Sequence, residues 1–192
     1  MPKRKAKILI VDDAQINRII LCELLRNQYQ ILEAEDGKKA LEMIKEDKMI
    51  DLVLLDIVMP NMDGYQVLEK MKEQRYLEYL PVIIISSETA SEILQKAYDM
   101  GAEDYISRPF DNPVVRQRVF NTIKLYAKQR RLTALVSDQI HEKEKNNQMM
   151  VEVLSQIVEF RNGESGLHVL HIKVLTEMLL EEILKKTDRY RL

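Results

Sequence analysis

The chain has 192 residues, is 46% hydrophobic and 31% charged, and carries a net charge of −2. That suits one ordinary domain with an appendage, and it gives no global attraction for nucleic acid or an acidic membrane. Its one cysteine, Cys22, excludes an intrachain disulfide and suits a reducing, cytoplasmic setting.

From the start, Lys3 to Lys7 reads as a solvated end. The apolar run that follows, Ile8 to Val11, is strand-sized, so a signal peptide is not expected. No stretch reads as a membrane span. Ile8-Leu9-Ile10-Val11 is a buried strand ended by Asp12-Asp13, and Ile16, Ile19, Ile20 and Leu24 recur at helical spacing. Cys22 lies in that stretch as a small core residue. Tyr29 to Leu32 suits a second strand, Gly37 a break, and Ala40, Leu41 and Ile44 a second helix. Leu52 to Leu55 is an unbroken apolar run that delivers Asp56 at its end. It is bounded by Met59-Pro60 and the turn signal Asn61-Met62-Asp63-Gly64.

Tyr65, Val67, Leu68 and Met71 mark a third helix, and Val82 to Ile85 a fourth buried strand ended by Ser86-Ser87. Ile93, Leu94, Ala97 and Met100 mark a fourth helix closed by Gly101. Asp104-Tyr105-Ile106 is a short fifth strand, Arg108-Pro109 follows, and a helix begins after Asn112-Pro113 with proline at an N1-like position. Five strand–helix alternations in about 120 residues predict an α/β, doubly wound, five-stranded parallel sheet of flavodoxin-like order 2-1-3-4-5.

The strand ends then carry Asp12, Asp13, Asp56, Ser86 and Arg108 to one rim. Carboxylates crowded together raise each other's pKa, and a hard divalent cation relieves that. Mg²⁺ favours few carboxylates plus waters and a phosphate. A carboxylate beside Mg²⁺ can attack a phosphoryl group, and a hydroxyl and a cation can hold the remaining oxygens. A bare metal cage, or a set of helix caps, is the plainer alternative.

Val11-Asp12-Asp13, the run from Leu55 to Gly64, Ile85-Ser86-Ser87 and the run from Tyr105 to Phe110 resemble the receiver domain of two-component response regulators, over about Lys5 to Lys128. The resemblance implies that Asp56 is the phosphoacceptor, served by a sensor histidine kinase. It implies that Asp13, Asp56 and the Val58 carbonyl bind Mg²⁺ (or Mn²⁺), with Asp12 assisting. Ser86 would contact the phosphoryl group, and Tyr105 would be the aromatic that turns inward on activation. A cis peptide before Pro109 is usual in the family. Arg108 stands where the family normally has lysine, and the two cations are not interchangeable in shape.

Between Pro113 and Phe160 there is no proline or glycine. Val115, Val119, Thr122, Tyr126, Gln129, Thr133, Val136, Ile140, Lys143, Asn147, Met150, Leu154 and Ile157 follow alternating four and three spacing. That predicts a seam of about six heptads and a parallel homodimer. A solvated linker is the alternative, because Asp138 to Gln148 is very polar. The expected organisation is a receiver over 1–128, a helical coiled-coil linker over 129–153 and a short helical segment over 154–192.

In that last segment, Glu159-Phe160-Arg161 and the run from Glu164 to His168 resemble the opening of an HD-GYP domain, a metal-dependent cyclic-di-GMP phosphodiesterase family. Glu164 and His168 would then be a half-site for a transition metal that only a complete output domain fills. The His-Asp pair and Gly-Tyr-Pro loop that define the family are absent from this sequence, and His171 stands where arginine is common. A DNA-reading helix is not expected, since Glu177, Glu181 and Glu182 are poor company for phosphates. The two functional readings are therefore a phosphorylatable signalling module and the regulatory portion of a phosphodiesterase.

Overall fold

Strands covered on both faces need apolar side chains at every position, and three runs of this chain supply them. In the computed structural model, which describes residues 4–87, 91–162 and 171–178, these runs are β1 (Lys7–Val11), β3 (Leu52–Asp56) and β4 (Val82–Ser86). With β2 (Gln30–Ala34) and β5 (Asp104–Ser107) they form one parallel sheet of order β2-β1-β3-β4-β5. The connecting helices are α1 (Gln15–Leu25), α2 (Gly37–Glu46), α3 (Gly64–Glu73), α4 (Ser91–Asp99) and α5 (Asn112–Asn162). A single 3₁₀ turn, Tyr76–Glu78, leads into β4. The expected flavodoxin-like fold is the one observed.

Alternation along each strand builds a core on each face. Leu9, Val11, Val53, Leu55 and Ile84 pack with Val67, Leu68 and Met71 of α3. Ile8, Ile10, Leu54, Ile83 and Ile85 pack with Leu21 and Leu25 of α1 and with Val115 and Val119 of α5. Two expectations change here. On α1, Leu24 of the expected stripe is buried, but Ile16, Ile19 and Ile20 are exposed, Ile16 by 63%, and Leu24 is joined in the core by Leu21 and Leu25. Both sets fit helical spacing, so only the packing against the sheet selects between them. The basic start is not merely solvated: the Arg4 guanidinium binds Asp51 at 3.0 Å and Lys7 pairs with Asp47.

The expected seam is also divided. Val115 and Val119 are buried in the second core, and Thr122 is buried as well. They cannot face another chain while α5 covers the sheet. Tyr126 donates to Glu103 at 2.9 Å, and Arg130 pairs with Asp51 at 3.0 Å. The first compact unit runs from Met1 to Leu132. In the second unit, Val136, Ile140, Met150, Leu154 and Ile157 are all exposed. Asp111 caps α5 by accepting from the Val114 amide at 3.2 Å, so Pro113 stands at the second helical position rather than the first.

Two glycines shape the loops near the sheet edges. Gly101 has φ +102°, the left-handed conformation expected after α4. Gly64 opens α3, where Asp63 caps the helix and Gln66 returns the bond to the Asp63 amide. A Cβ on Gly64 would lie 2.4 Å from the Asp56 carbonyl oxygen and 2.8 Å from the Ile57 Cα. Helix α3 therefore starts in direct backbone contact with the end of β3. Gly64→Ala should cost about 1–3 kcal/mol, by forcing the two backbones apart. Urea unfolding would show this as a lower midpoint with an unchanged slope; an unchanged midpoint would mean that the helix start shifts freely.

Candidate functional site

Register decides which side chains meet. Val11 is opposite Leu55, so Asp12 and Asp56 each leave their strands at the same level. Asp56 is opposite Ile85 and Ser86 opposite Ser107, which brings Ser86 and Arg108 to the same edge. Carboxylate oxygens of Asp12, Asp13 and Asp56 all lie within 4.8 Å of one another. Asp12 is fully buried, Asp56 is 2% exposed, and Asp13 is exposed.

The turn after β1 is fixed by groups with no distinct signal in the sequence. Asp12 accepts from the Ala14 amide at 2.9 Å and from Asn17 Nδ2 at 3.0 Å. Arg18 Nη1 donates to the Asp12 carbonyl at 2.7 Å and to the Asp13 carbonyl at 3.3 Å. Both residues are polar positions on the first turn of α1. Sequence reasoning passed over them because the isoleucines around them carried the helical pattern.

Across the rim, Arg108 Nη2 lies 2.5 Å from Asp56 Oδ1 and 3.6 Å from Asp12 Oδ2. The Arg108 amide donates to the Ser86 carbonyl at 2.9 Å, and the Arg108–Pro109 peptide is cis. The Val58 amide donates to Asp56 Oδ1 at 3.3 Å, and Val58 itself is exposed on the loop after β3. Ser86 is buried at the end of β4. Tyr105, on β5, is half-buried against the first core. The Arg118 guanidinium lies over its ring at 5.1 Å and also pairs with Asp104. The structure thus brings together Asp12, Asp13, Asp56 and Arg108, with Ser86 adjoining. Glu164 and His168 lie outside the described residues.

Burial pushes the Asp56 carboxyl above the usual carboxylate range, and the neighbouring Asp12 adds to this. The Arg108 guanidinium and the Val58 amide oppose it only in part. A hard cation fits here: three acids within reach of one point, one of them facing solvent, leave room for waters on a six-coordinate ion.

The family of the response regulator receiver domain matches residues 8–120. The chain belongs to this family. Receiver domains bind Mg²⁺ at their acidic pocket, and response regulators take their phosphate from sensor histidine kinases; the receiver is a signalling module. A Vibrio cholerae serotype O1 protein named probable cyclic di-GMP phosphodiesterase is 34% identical over 191 residues, 96% of this chain. The chain spans 43% of that relative's length. A two-component response regulator of rice, Oryza sativa subsp. japonica, is 35% identical over 103 residues, covering 53% of this chain and 77% of the rice protein. The solved chemotaxis protein CheY4 of Vibrio cholerae superposes with a TM-score of 0.59 at 25% identity, over 62% of this chain and 99% of that one. No helix among the described residues is long and apolar enough to cross a membrane.

The raised Asp56 pKa carries a stability consequence of definite sign. Between its ordinary value and its folded value the native state holds an extra proton, so stability falls as pH rises through that window. Above the folded value the buried charge is a standing cost. Asp56→Asn should therefore unfold at higher urea than the wild type at neutral pH in chelator-treated buffer. The gap should close as pH falls through the window toward the ordinary carboxylate value, and added Mg²⁺ should stabilise the wild type alone. A variant no more stable than the wild type at neutral pH would contradict the sign.

Proposed function

We propose that the receiver takes a phosphoryl group from a histidine kinase onto Asp56 and uses it to switch the helical segment that follows. The observation that carries this reading is Asp56 itself, a buried acid at the end of a rigid strand beside two further acids and one guanidinium. An Asp56 oxygen attacks the phosphorus of the donor phosphohistidine. The new phosphorus–oxygen bond forms as the phosphorus–nitrogen bond breaks, and the departing imidazole takes a proton from solvent. Asp13, Asp56 and the Val58 carbonyl would hold Mg²⁺ or Mn²⁺, with Asp12 assisting through water. The ion supplies positive charge that offsets the crowded acids and the phosphoryl oxygens. Ser86 donates its hydroxyl to one phosphoryl oxygen, and Arg108 balances another. Tyr105 then turns inward. Arg118, which touches both its ring and Asp104, passes that change to α5.

Beyond Leu132 the apolar positions Val136, Ile140, Met150 and Leu154 keep heptad spacing and remain exposed. That supports a parallel homodimer through the later part of the seam, with Asn147 fixing its register. A second reading concerns the longer protein. The Vibrio relative's name and the match along nearly the whole of this chain favour a cyclic-di-GMP phosphodiesterase output, with Glu164 and His168 at the edge of its transition-metal site.

Two measurements test these assignments. Incubated with Mg²⁺ and acetyl phosphate, the wild type should gain one phosphoryl group by intact mass and Asp56→Asn none; equal gain would displace the acceptor. In sedimentation, a chain ending at Leu132 should associate more weakly than the full chain. Equal association would move the interface onto the receiver.

A further inference from the structure

Arg108 carries an unmet donor. Its Nε is buried and has no hydrogen-bond partner among the described residues. An N–H hidden from water without an acceptor is costly, and such groups are rare in folded proteins. The same side chain is otherwise well held. Its Nη2 lies 2.5 Å from Asp56 Oδ1, its backbone amide donates to the Ser86 carbonyl, and only 24% of the side chain is exposed. The orphan is thus not a loosely placed surface group. Nε and Nη2 share one edge of the guanidinium, and that edge presents two parallel donors matched to a pair of oxygens. With Nη2 on Asp56 Oδ1, one donor of the pair is engaged at the acceptor residue and the other waits for an oxygen.

We propose that Arg108 grips phosphorylated Asp56 at two points, its Nη2–H and Nε–H each taking an oxygen of the acyl phosphate or of its phosphoryl group. This rests on Asp56 being the phosphoacceptor. A phosphoryl group adds three acceptor oxygens beside Asp56 Oδ1, the kind of partner the buried Nε–H lacks. A lysine at this position keeps the charge but has no second donor in a fixed plane. The orphan is therefore a cost of the resting state that phosphorylation removes, so Arg108 tilts the receiver toward its phosphorylated form. The side chain's contact with Asp12, at 3.6 Å, is too long for a hydrogen bond and does not compete for the second donor.

The test uses the full chain labelled with ¹⁵N, with Mg²⁺ and beryllium fluoride as a stable mimic of a phosphoryl group on a carboxylate. In the wild type the Arg108 Nε–H signal should shift downfield and become protected from exchange when the mimic binds. Arg108→Lys should bind the mimic at least tenfold more weakly while keeping the urea midpoint of the wild type to within a small change. An Nε–H signal that does not respond to the mimic, or an Arg108→Lys affinity within twofold of the wild type, overturns the clamp. The spectroscopic arm needs no variant, so a folding defect in Arg108→Lys leaves it decisive. Failure of the wild type to bind the mimic, matched by Asp56→Asn and by absence of phosphoryl gain, overturns the Asp56 assignment and the clamp with it.

Discussion

Two carboxylates buried side by side repel each other and resist ionisation unless positive charge stands between them. Asp56 is in that position beside Asp12, and the arrangement of the carboxyl edge follows from the need to neutralise the charge there. Arg108 provides an internal cation on Asp56, and Asn17 and the Ala14 amide hold Asp12 through dipoles. The neutralisation is incomplete, since the Asp56 carboxyl still sits above its ordinary range. A site left in that condition gains from an added divalent ion, and a carboxylate poorly solvated by its surroundings is a better nucleophile once that ion is in place.

The rest of the receiver serves to hold that site in place. β1, β3 and β4 are covered on both faces, so the strand ends cannot move to relieve the repulsion. Gly64 lets the start of α3 rest on the backbone of Asp56 and Ile57, which fixes the loop that carries Val58. On the other side, the bond from the Arg108 amide to the Ser86 carbonyl ties the loop after β5 to the end of β4. The last two contacts are between backbones, and the side chains of Asn17 and Arg18 complete the rim at the turn after β1.

Helix α5 has two occupations along its length. Its first turns close the second core through Val115 and Val119, with Thr122 buried as well, and Tyr126 and Arg130 extend its attachment to the receiver. The heptad spacing runs through both parts without a break, because the 3.6-residue period of a helix face that packs on a sheet lies close to the 3.5-residue heptad period. Asp51 is notable here. It is buried at the amino end of β3, opposite the acidic rim, and it is met by Arg4, Arg130 and the Lys7 amide. β3 therefore carries Asp56 at one end, and Asp51, the anchor of α5, immediately precedes the other.

The sequence by itself determined the strands, their order and the acids at their ends. Unbroken runs such as Ile8 to Val11 and Leu52 to Leu55 have one physical reading, and the crossover rule then leaves few topologies. Asp12, Asp13, Asp56, Ser86 and Arg108 were legible for the same reason, since chemistry in such sheets stands at the carboxyl ends. The sequence did not determine which neighbours of Leu24 on α1 are buried with it, because Ile16, Ile19 and Ile20 satisfy helical spacing as well as Leu21 and Leu25 do. It did not separate the part of the α5 seam that faces the sheet from the part that does not. Nor did it show Asn17 and Arg18 fixing the acidic turn, or Arg108 holding Asp56 with one donor and leaving another unmet. These were decided only by the tertiary structure. Periodicity reports that a face is apolar, and spacing reports that groups share an edge; only the packing of one element on another fixes which partner each of them meets.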